Sequence, residues 1–214
     1  MTIASTGGQT RRAWLAGATA LMASPALAKA APVVTILGDS ITAGYGLPAA
    51  SALPARLQAA LARIGVAAAV RGAGVSGDTT ADGLARVNFS VQPDTAVCVV
   101  ALGGNDLLQG LDPRTTRANL EATVRKLQAR RIAVVLAGMT APRAIGAGYA
   151  HDYDALFPAV AKATGARLYP DLLAGVERNA ALNQADGIHP NPAGVNIIAV
   201  GLAPAIARSL KAGK

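Results

Sequence analysis

The sequence predicts an α/β fold in which one parallel sheet is covered by helices on both faces. Short apolar runs alternate with longer segments that have the periodicity of helices. The short runs are apolar throughout, as in strands that are buried on both faces of a sheet. No linker or repeat interrupts the alternation, and 52% of the 214 residues are apolar. These observations predict one domain of ordinary size with a sizeable core.

The first half of the pattern contains three strands and two helices. Val33–Leu37 is a continuous apolar run that ends in a glycine turn, and Val66–Val70 is a shorter run. Between them, Pro54–Ile64 places its leucines and its isoleucine on one helical face, and a glycine follows it. Thr79–Val87 is predicted to be a short helix with a polar N-cap. Thr95–Leu102 is the third strand, preceded by a Pro-Asp turn.

The second half adds two strands and three helices. Thr115–Arg130 is a long amphipathic segment, and the apolar run Ile132–Leu136 follows it directly. Asp152–Thr164 is the next predicted helix, and Arg167–Tyr169 is short enough for an edge strand. Pro192–Leu210 is predicted to be the closing helix.

Residues 1–28 are predicted to be an export signal rather than part of the fold. Arg11 and Arg12 precede an apolar stretch that is too short for a comfortable transmembrane span, and Ala26–Ala28 has a small-x-small cleavage pattern. The paired arginines resemble a twin-arginine signal, and the alternative is an ordinary secretory signal. Either signal predicts that the domain of residues 29–214 is periplasmic or secreted.

Composition argues against several classes of partner. The net charge is +8, but no predicted helix carries a dense basic stripe with interleaved aromatic residues, and aromatic residues are only 3%, so we expect no nucleic-acid partner. Cys98, the only cysteine, lies in an apolar run and is predicted to be an inert core residue. One cysteine and two histidines are a poor metal-binding set, and no glycine-rich nucleotide motif is present. We therefore expect no metal and no other cofactor.

Four short polar motifs occur in a fixed order along the chain. Three of them follow the first three predicted strands, and the fourth precedes the last helix. They are Gly38–Ser40, Gly74–Asp78, Gly103–Asp106 and Asp186–Pro190. Because the carboxyl ends of parallel strands meet at one sheet edge, where open α/β sheets bind ligands, we expect the first three motifs to converge in space.

The residue types in these motifs are those of acyl transfer through a covalent intermediate. A serine hydroxyl becomes a good nucleophile when a base takes its proton, and His189 can be that base for Ser40. Asp186, three residues earlier, can accept the imidazole Nδ1–H and fix the tautomer. The backbone N–H groups of Ser40 and Gly77 and the side-chain amide of Asn105 can stabilise an oxyanion. We predict Ser40, Asp186 and His189 as catalytic residues and Ser40, Gly77 and Asn105 as the oxyanion hole.

The four motifs resemble those of the SGNH-type (GDSL-like) hydrolases, over residues 33–191. In particular they resemble the bacterial periplasmic branch of thioesterase I, lysophospholipase L1 and arylesterases. The resemblance implies a flavodoxin-like three-layer α/β/α sandwich with a five-stranded parallel sheet, the same residue roles, and no metal. It also implies that the substrates are small-molecule or lipid esters, including acyl thioesters, lysophospholipids and aryl esters.

Residues near the motifs are expected to contact the substrate. The predicted substrate-binding residues are Asp39, Leu107, Pro142 and Ile188. Leu108, Ala141 and Ile145 add apolar side chains nearby, which favours acyl chains over sugars. The Gly/Pro-punctuated segment 140–150 is predicted to be a loop at the rim of the site. Residues 139–149 resemble the family less well, and in this branch that loop helps set acyl-chain preference, so the sequence leaves the preference open.

Two other functions remain possible at this stage. A carbohydrate O-deacetylase shares this chemistry and fold, and an open polar groove would favour it. A non-catalytic binding module would have lost a residue of the triad, whereas every residue that the chemistry needs is present. We expect a monomer without stable membrane insertion.

Overall fold

The computed structural model describes residues 1–4 and 30–212, and the predicted export signal lies mostly outside this part of the chain. A five-stranded sheet, entirely parallel, forms the centre of the domain, with strand order β2-β1-β3-β4-β5. The strands are β1 (Val33–Gly38), β2 (Ala69–Gly74), β3 (Thr95–Ala101), β4 (Ala133–Ala137) and β5 (Arg167–Tyr169). The predicted flavodoxin-like sheet is confirmed.

Helices cover both faces of the sheet and form the outer two layers. The helices are α1 (Ser40–Ala43), α2 (Leu53–Arg63), α3 (Thr80–Ser90), α4 (Gly104–Leu108), α5 (Pro113–Ala129), α6 (Ala147–Thr164) and α7 (Pro192–Ala212). α2 packs against α7, whereas α5 packs between α3 and α6. The apolar stripes of these helices meet the central strands, where Ile36, Val99 and Leu136 are completely buried.

Strand β2 begins and ends later than the sequence indicates. The prediction of Val66–Val70 was wrong because two glycines, Gly72 and Gly74, are more typical of a loop than of a strand. In the fold these glycines make room for neighbouring segments: a Cβ at Gly72 would lie 2.7 Å from Cγ of Pro54, and a Cβ at Gly74 would collide with the backbone of α1. Glycine therefore permits the close approach of α1 and α2 to this strand.

Helix α6 begins earlier than predicted, within the segment expected to be a loop. A short 3₁₀ turn at Arg143–Ile145 precedes it, and Gly146 has a φ of 111° where the chain turns into the helix. The Tyr149 hydroxyl donates a hydrogen bond to the Leu111 carbonyl at 2.8 Å. This tertiary contact holds a first turn that contains glycine and aromatic residues, which have low helix propensity.

Within the described residues, one helix, α7, is long and apolar enough to cross a membrane. Half of its most apolar window is buried inside the fold, and the helix packs against α2, β3 and β4. Its hydrophobicity is thus accounted for by its position against the sheet.

Candidate active site

Ser40 lies in a tight turn between β1 and α1. The Asp39 carboxylate caps this helix by accepting a hydrogen bond from the Ile41 N–H at 3.0 Å. Gly38 lacks the side chain that would otherwise lie 2.9 Å from the Ala101 carbonyl oxygen and collide with Thr42. Ser40 is the first residue of α1, so its backbone N–H is one of the amides that a helix leaves free for other acceptors.

The Asp186–His189 segment is the tip of a hairpin-like loop, which the sequence analysis did not predict. Asn183 and Pro190 form an antiparallel bridge, and the Gln184 N–H donates to the His189 carbonyl at 2.8 Å. Gly187 has a φ of 70°, which allows the chain to turn between the two polar residues. The loop therefore holds the carboxylate and the imidazole on one side of a closed turn.

The three side chains predicted to be catalytic form one continuous hydrogen-bonded line. Asp186 Oδ2 lies 2.6 Å from Nδ1 of His189, and Nε2 of His189 lies 2.9 Å from Oγ of Ser40. Hydrogen bonds from the His189 N–H and side chain and from the Ile188 N–H lower the pKa of Asp186 to about 2. The carboxylate is therefore charged at neutral pH, and the line can transfer the serine proton to the imidazole.

Two residues outside the predicted motifs position the histidine. The Tyr45 ring, which follows α1, lies against the His189 ring with a centroid distance of 4.6 Å. The Gln184 side chain donates to the backbone carbonyls of Tyr45, at 2.8 Å, and of Pro190, at 3.1 Å. The amide thus connects the serine turn to the histidine loop. Only the proximity of Tyr45 to the first motif could have suggested this role from the sequence.

The predicted oxyanion donors lie in two adjacent loops. The Asn105 side-chain amide donates one hydrogen bond to the Asp78 carbonyl at 2.9 Å, which leaves its second N–H for another acceptor. Gly77 lies in a turn after β2 with a φ of 91°, and the Val75 N–H links this turn to the Gly38 carbonyl at 3.1 Å. Asn105 lines the cavity described below, whereas Gly77 is not part of its wall.

The other aspartates of the motifs brace the loops. Asp106 is completely buried in α4 and accepts hydrogen bonds from the Thr80 N–H, the Thr80 hydroxyl and the Thr116 hydroxyl. It therefore ties α3, α4 and α5 together beneath the site. Asp78, directly after Gly77, forms an ion pair with Arg86.

A cavity of about 330 Å³ opens beside Ser40 and His189. All four residues predicted to bind substrate lie in its wall: Asp39, Leu107, Pro142 and Ile188. The wall also contains apolar side chains that the sequence analysis did not assign to it: Ile41, Met139 and Leu173. Leu108 lines the cavity as expected, but Ala141 and Ile145 do not, because Ala141 is turned into the core and Ile145 is exposed outside it.

Burial shifts the pKa of Asp39, one of the carboxylates in the cavity wall. Asp39 is 3% exposed, and burial raises its pKa to about 6, partly offset by the hydrogen bond from Ile41.

Burial likewise raises the pKa of the Cys98 thiol to about 12, in keeping with a core residue. Within residues 1–4 and 30–212, no three His, Cys, Asp or Glu side chains are grouped to hold a metal ion.

Comparison with known proteins relates this geometry to characterised enzymes. Residues 36–197 match the GDSL-like Lipase/Acylhydrolase family. The chain is 38% identical to Esterase TesA of Pseudomonas aeruginosa, over 75% of this chain and 81% of that protein. It is 34% identical to Thioesterase 1/protease 1/lysophospholipase L1 of Escherichia coli K12, over 77% of this chain and 78% of that protein.

Solved structures agree with these sequence relationships. The crystal structure of AlinE4, an SGNH-hydrolase family esterase, is 41% identical and superposes with a TM-score of 0.70. The match covers 83% of this chain and 96% of the AlinE4 chain. The structural similarity therefore extends over most of this chain and nearly all of the AlinE4 chain.

Proposed function

The chain belongs to the GDSL-like lipase/acylhydrolase family and is an ester hydrolase, and from this premise we propose that Ser40, His189 and Asp186 carry out its reaction. The observation that carries this proposal is the hydrogen-bonded line from Asp186 through His189 to Ser40, with distances of 2.6 and 2.9 Å. It has the arrangement of a nucleophile, a general base and an orienting carboxylate.

In the first half of the reaction, Ser40 Oγ attacks the ester carbonyl carbon while His189 Nε2 takes the hydroxyl proton. The carbonyl oxygen becomes an oxyanion, which accepts hydrogen bonds from the N–H groups of Ser40 and Gly77 and from the Asn105 amide. The tetrahedral intermediate then collapses and expels the alcohol or thiol, which leaves with the proton that His189 held. The acyl group remains on Ser40.

In the second half, a water molecule attacks the acyl-enzyme. His189 takes a proton from this water, a second tetrahedral intermediate forms, and the carboxylic acid leaves as Ser40 recovers its proton. Asp186 stays charged throughout because its pKa is about 2, and it stabilises the imidazolium in both halves.

The apolar wall of the cavity favours an acyl chain as the group that binds beside Ser40. Leu107, Met139 and Leu173 supply side chains that would bury methylene groups, and the exposed wall is mostly apolar, although polar side chains such as Asp171 and Arg178 also line it. We therefore place fatty acyl esters and thioesters ahead of acetylated carbohydrates as substrates. Lysophospholipids and aryl esters belong to the same proposed range.

The experiment that tests this function is hydrolysis of p-nitrophenyl esters from C2 to C16 by wild-type protein and by Ser40→Ala. We expect wild-type activity on these esters and a loss of at least about 10⁴-fold in the variant, since no other hydroxyl is hydrogen-bonded to His189 in the described structure. Equal activity of the two proteins would contradict the serine mechanism. A preference for C2 alone would favour the deacetylase alternative.

We also propose that the enzyme is exported and works as a monomer in the periplasm or outside the cell. The support for export is the sequence of residues 1–28, with its paired arginines, apolar stretch and small-residue cleavage pattern.

A further inference from the structure

Arg86, on α3, lies beneath the site and belongs to none of the four motifs. Its side chain is 18% exposed, and the carboxylate that pairs with it, Asp78, is 11% exposed. A guanidinium that is largely removed from water needs protein acceptors for its N–H groups, since burying it without partners would be costly.

The guanidinium satisfies this need with four hydrogen bonds, three of them to residues outside α3. Nε donates to the Asp78 carboxylate at 2.5 Å, and Nη2 donates to the Gly38 carbonyl at 2.8 Å. Nη1 donates to the Ala73 carbonyl at 2.9 Å and to the Ser90 hydroxyl at 3.0 Å. Three of these four acceptors lie at the ends of β1 and β2 or in the loop after β2, next to residues of the site.

The positions of the acceptors in the chain show what these bonds fix. Gly38 stands two residues before Ser40, whereas Ala73 and Asp78 stand on either side of the turn that holds Gly77. The Asp78 carbonyl, in turn, accepts the hydrogen bond that orients the Asn105 amide. One side chain therefore joins the serine turn to the loop of one predicted oxyanion donor and, through Asp78, to the other.

We propose that Arg86 is a positioning residue that sets the placement of the Gly77 and Asn105 donors relative to Ser40. The inference rests on the proposed function of these three residues. It predicts a preference for arginine, because a planar guanidinium directs five N–H groups along fixed directions, whereas a lysine ammonium is a compact charge on a flexible stem.

Displacing an oxyanion donor should destabilise the transition state more than it weakens binding of the ester. The oxyanion develops only during the reaction, so the misplaced N–H groups lower kcat while leaving ground-state binding in the apolar cavity largely intact. The tetrahedral adduct of Ser40 with a trifluoromethyl ketone carries a similar oxyanion, and its stability should fall in parallel.

The test compares Arg86→Lys with a matched control, Arg71→Lys. Arg71 also forms a two-bond ion pair, with Asp94, but both side chains are exposed and neither belongs to a loop of the site. We expect Arg86→Lys to lower kcat for p-nitrophenyl butyrate by about 100-fold, with KM within about threefold of wild type, and to weaken the trifluoromethyl ketone by a similar factor. The control should behave like wild type.

A second variant protects the test against misfolding. Asp78→Asn keeps the size of the side chain but removes the charge that Arg86 Nε contacts, and it should lower kcat in the same way by a smaller factor. The double variant Arg86→Lys/Asn105→Ala should lose less transition-state stabilisation than the sum of the losses in the two single variants, because both residues act on one oxyanion.

The outcomes separate this inference from the proposed function. If folded Arg86→Lys retains kcat within about threefold of wild type and only melts earlier, Arg86 is a stabilising residue and the inference is wrong. A loss confined to KM would overturn it as well. If Ser40→Ala remains as active as wild type, the proposed function itself fails, whatever Arg86→Lys does.

Discussion

At the residue scale, the two carboxylates near His189 have opposite electrostatic character. Asp186 has three hydrogen-bond donors around it and a pKa of about 2, whereas burial raises the pKa of Asp39 to about 6. Hydrogen bonds to the charged form outweigh desolvation at Asp186, and desolvation outweighs a single backbone hydrogen bond at Asp39. The same residue type thus supplies a permanent charge at one position and a titrating group at the other.

The raised pKa of Asp39 predicts a pH-dependent change in stability. Above about pH 6 the folded protein holds a buried charge, whereas the unfolded chain ionises near pH 3.8, so Asp39 destabilises the fold as pH rises from about 4 to 6. Asp39→Asn keeps a capping side chain without the charge. We expect it to raise the free energy of unfolding by at most about 3 kcal/mol at pH 8, with no difference near pH 3.5.

Urea unfolding of wild type and Asp39→Asn at both pH values measures this difference. Asp94→Asn is the control, since Asp94 is exposed and the hydrogen bond from Arg71 lowers its pKa. The control should give no stabilisation at pH 8. An Asp39→Asn effect that is the same at pH 3.5 and pH 8 would show that the charge of Asp39 does not cause it.

At the scale of the elements, helix α3 connects two parts of the site, since it begins directly after the turn that holds Gly77 and carries Arg86. A capping box fixes its first turn: Thr79 Oγ1 accepts from the Asp82 N–H, and the Asp82 carboxylate accepts from the Thr79 N–H at 2.9 Å. The box therefore determines where the turn ends and the helix begins.

Removing the cap tests this role. We expect Thr79→Ala to lower the free energy of unfolding by about 1 kcal/mol, because the first turn of α3 loses a side-chain acceptor. Thr115→Ala, at an exposed position of α5, is the matched control. Denaturant titration of both variants decides the matter: if they lose equal stability, the capping box contributes nothing specific.

The order and type of the elements could largely be predicted from the sequence, and the boundaries that failed have a common cause. Periodicity indicates apolar faces, and these are the faces that pack in β1, β3, α2 and α5. Tertiary contacts determine the other boundaries. The glycines of β2 allow α1 and α2 to approach that strand, and the first turn of α6 is held by a hydrogen bond to Leu111. Local sequence carries no signal for partners so distant along the chain.

The residues of the site also divide into those that local sequence suggests and those that only tertiary contacts reveal. Ser40, Asn105 and Asp186 stand in short motifs whose residue types specify their chemistry, so the sequence alone suggests them. Tyr45 lies near the first motif in the chain, but its local sequence does not specify the ring contact with His189. Nothing around Arg86 in the sequence predicts its bond to the Gly38 carbonyl. The roles of such residues can be recognised only in the folded structure, where these segments are in contact.

At the scale of the whole molecule, the proposed export signal makes a separate prediction. In cells that make the full chain, changing both Arg11 and Arg12 to lysine should leave the precursor in the cytoplasm, since the twin-arginine route recognises the arginine pair. Fractionation and immunoblotting measure the distribution, with Arg63→Lys as the control. Continued export of the lysine variant would favour an ordinary secretory signal, and a wild-type chain that stays inside would refute export.

Ser40 and His189 are 149 positions apart in the sequence, and this separation has a consequence for the timing of activity. During synthesis the serine leaves the ribosome long before the histidine has been added, and a serine without its base is a weak nucleophile. On the proposed mechanism, a chain that has not yet brought His189 to Ser40 lacks the base that activates the serine, so ester hydrolysis follows folding.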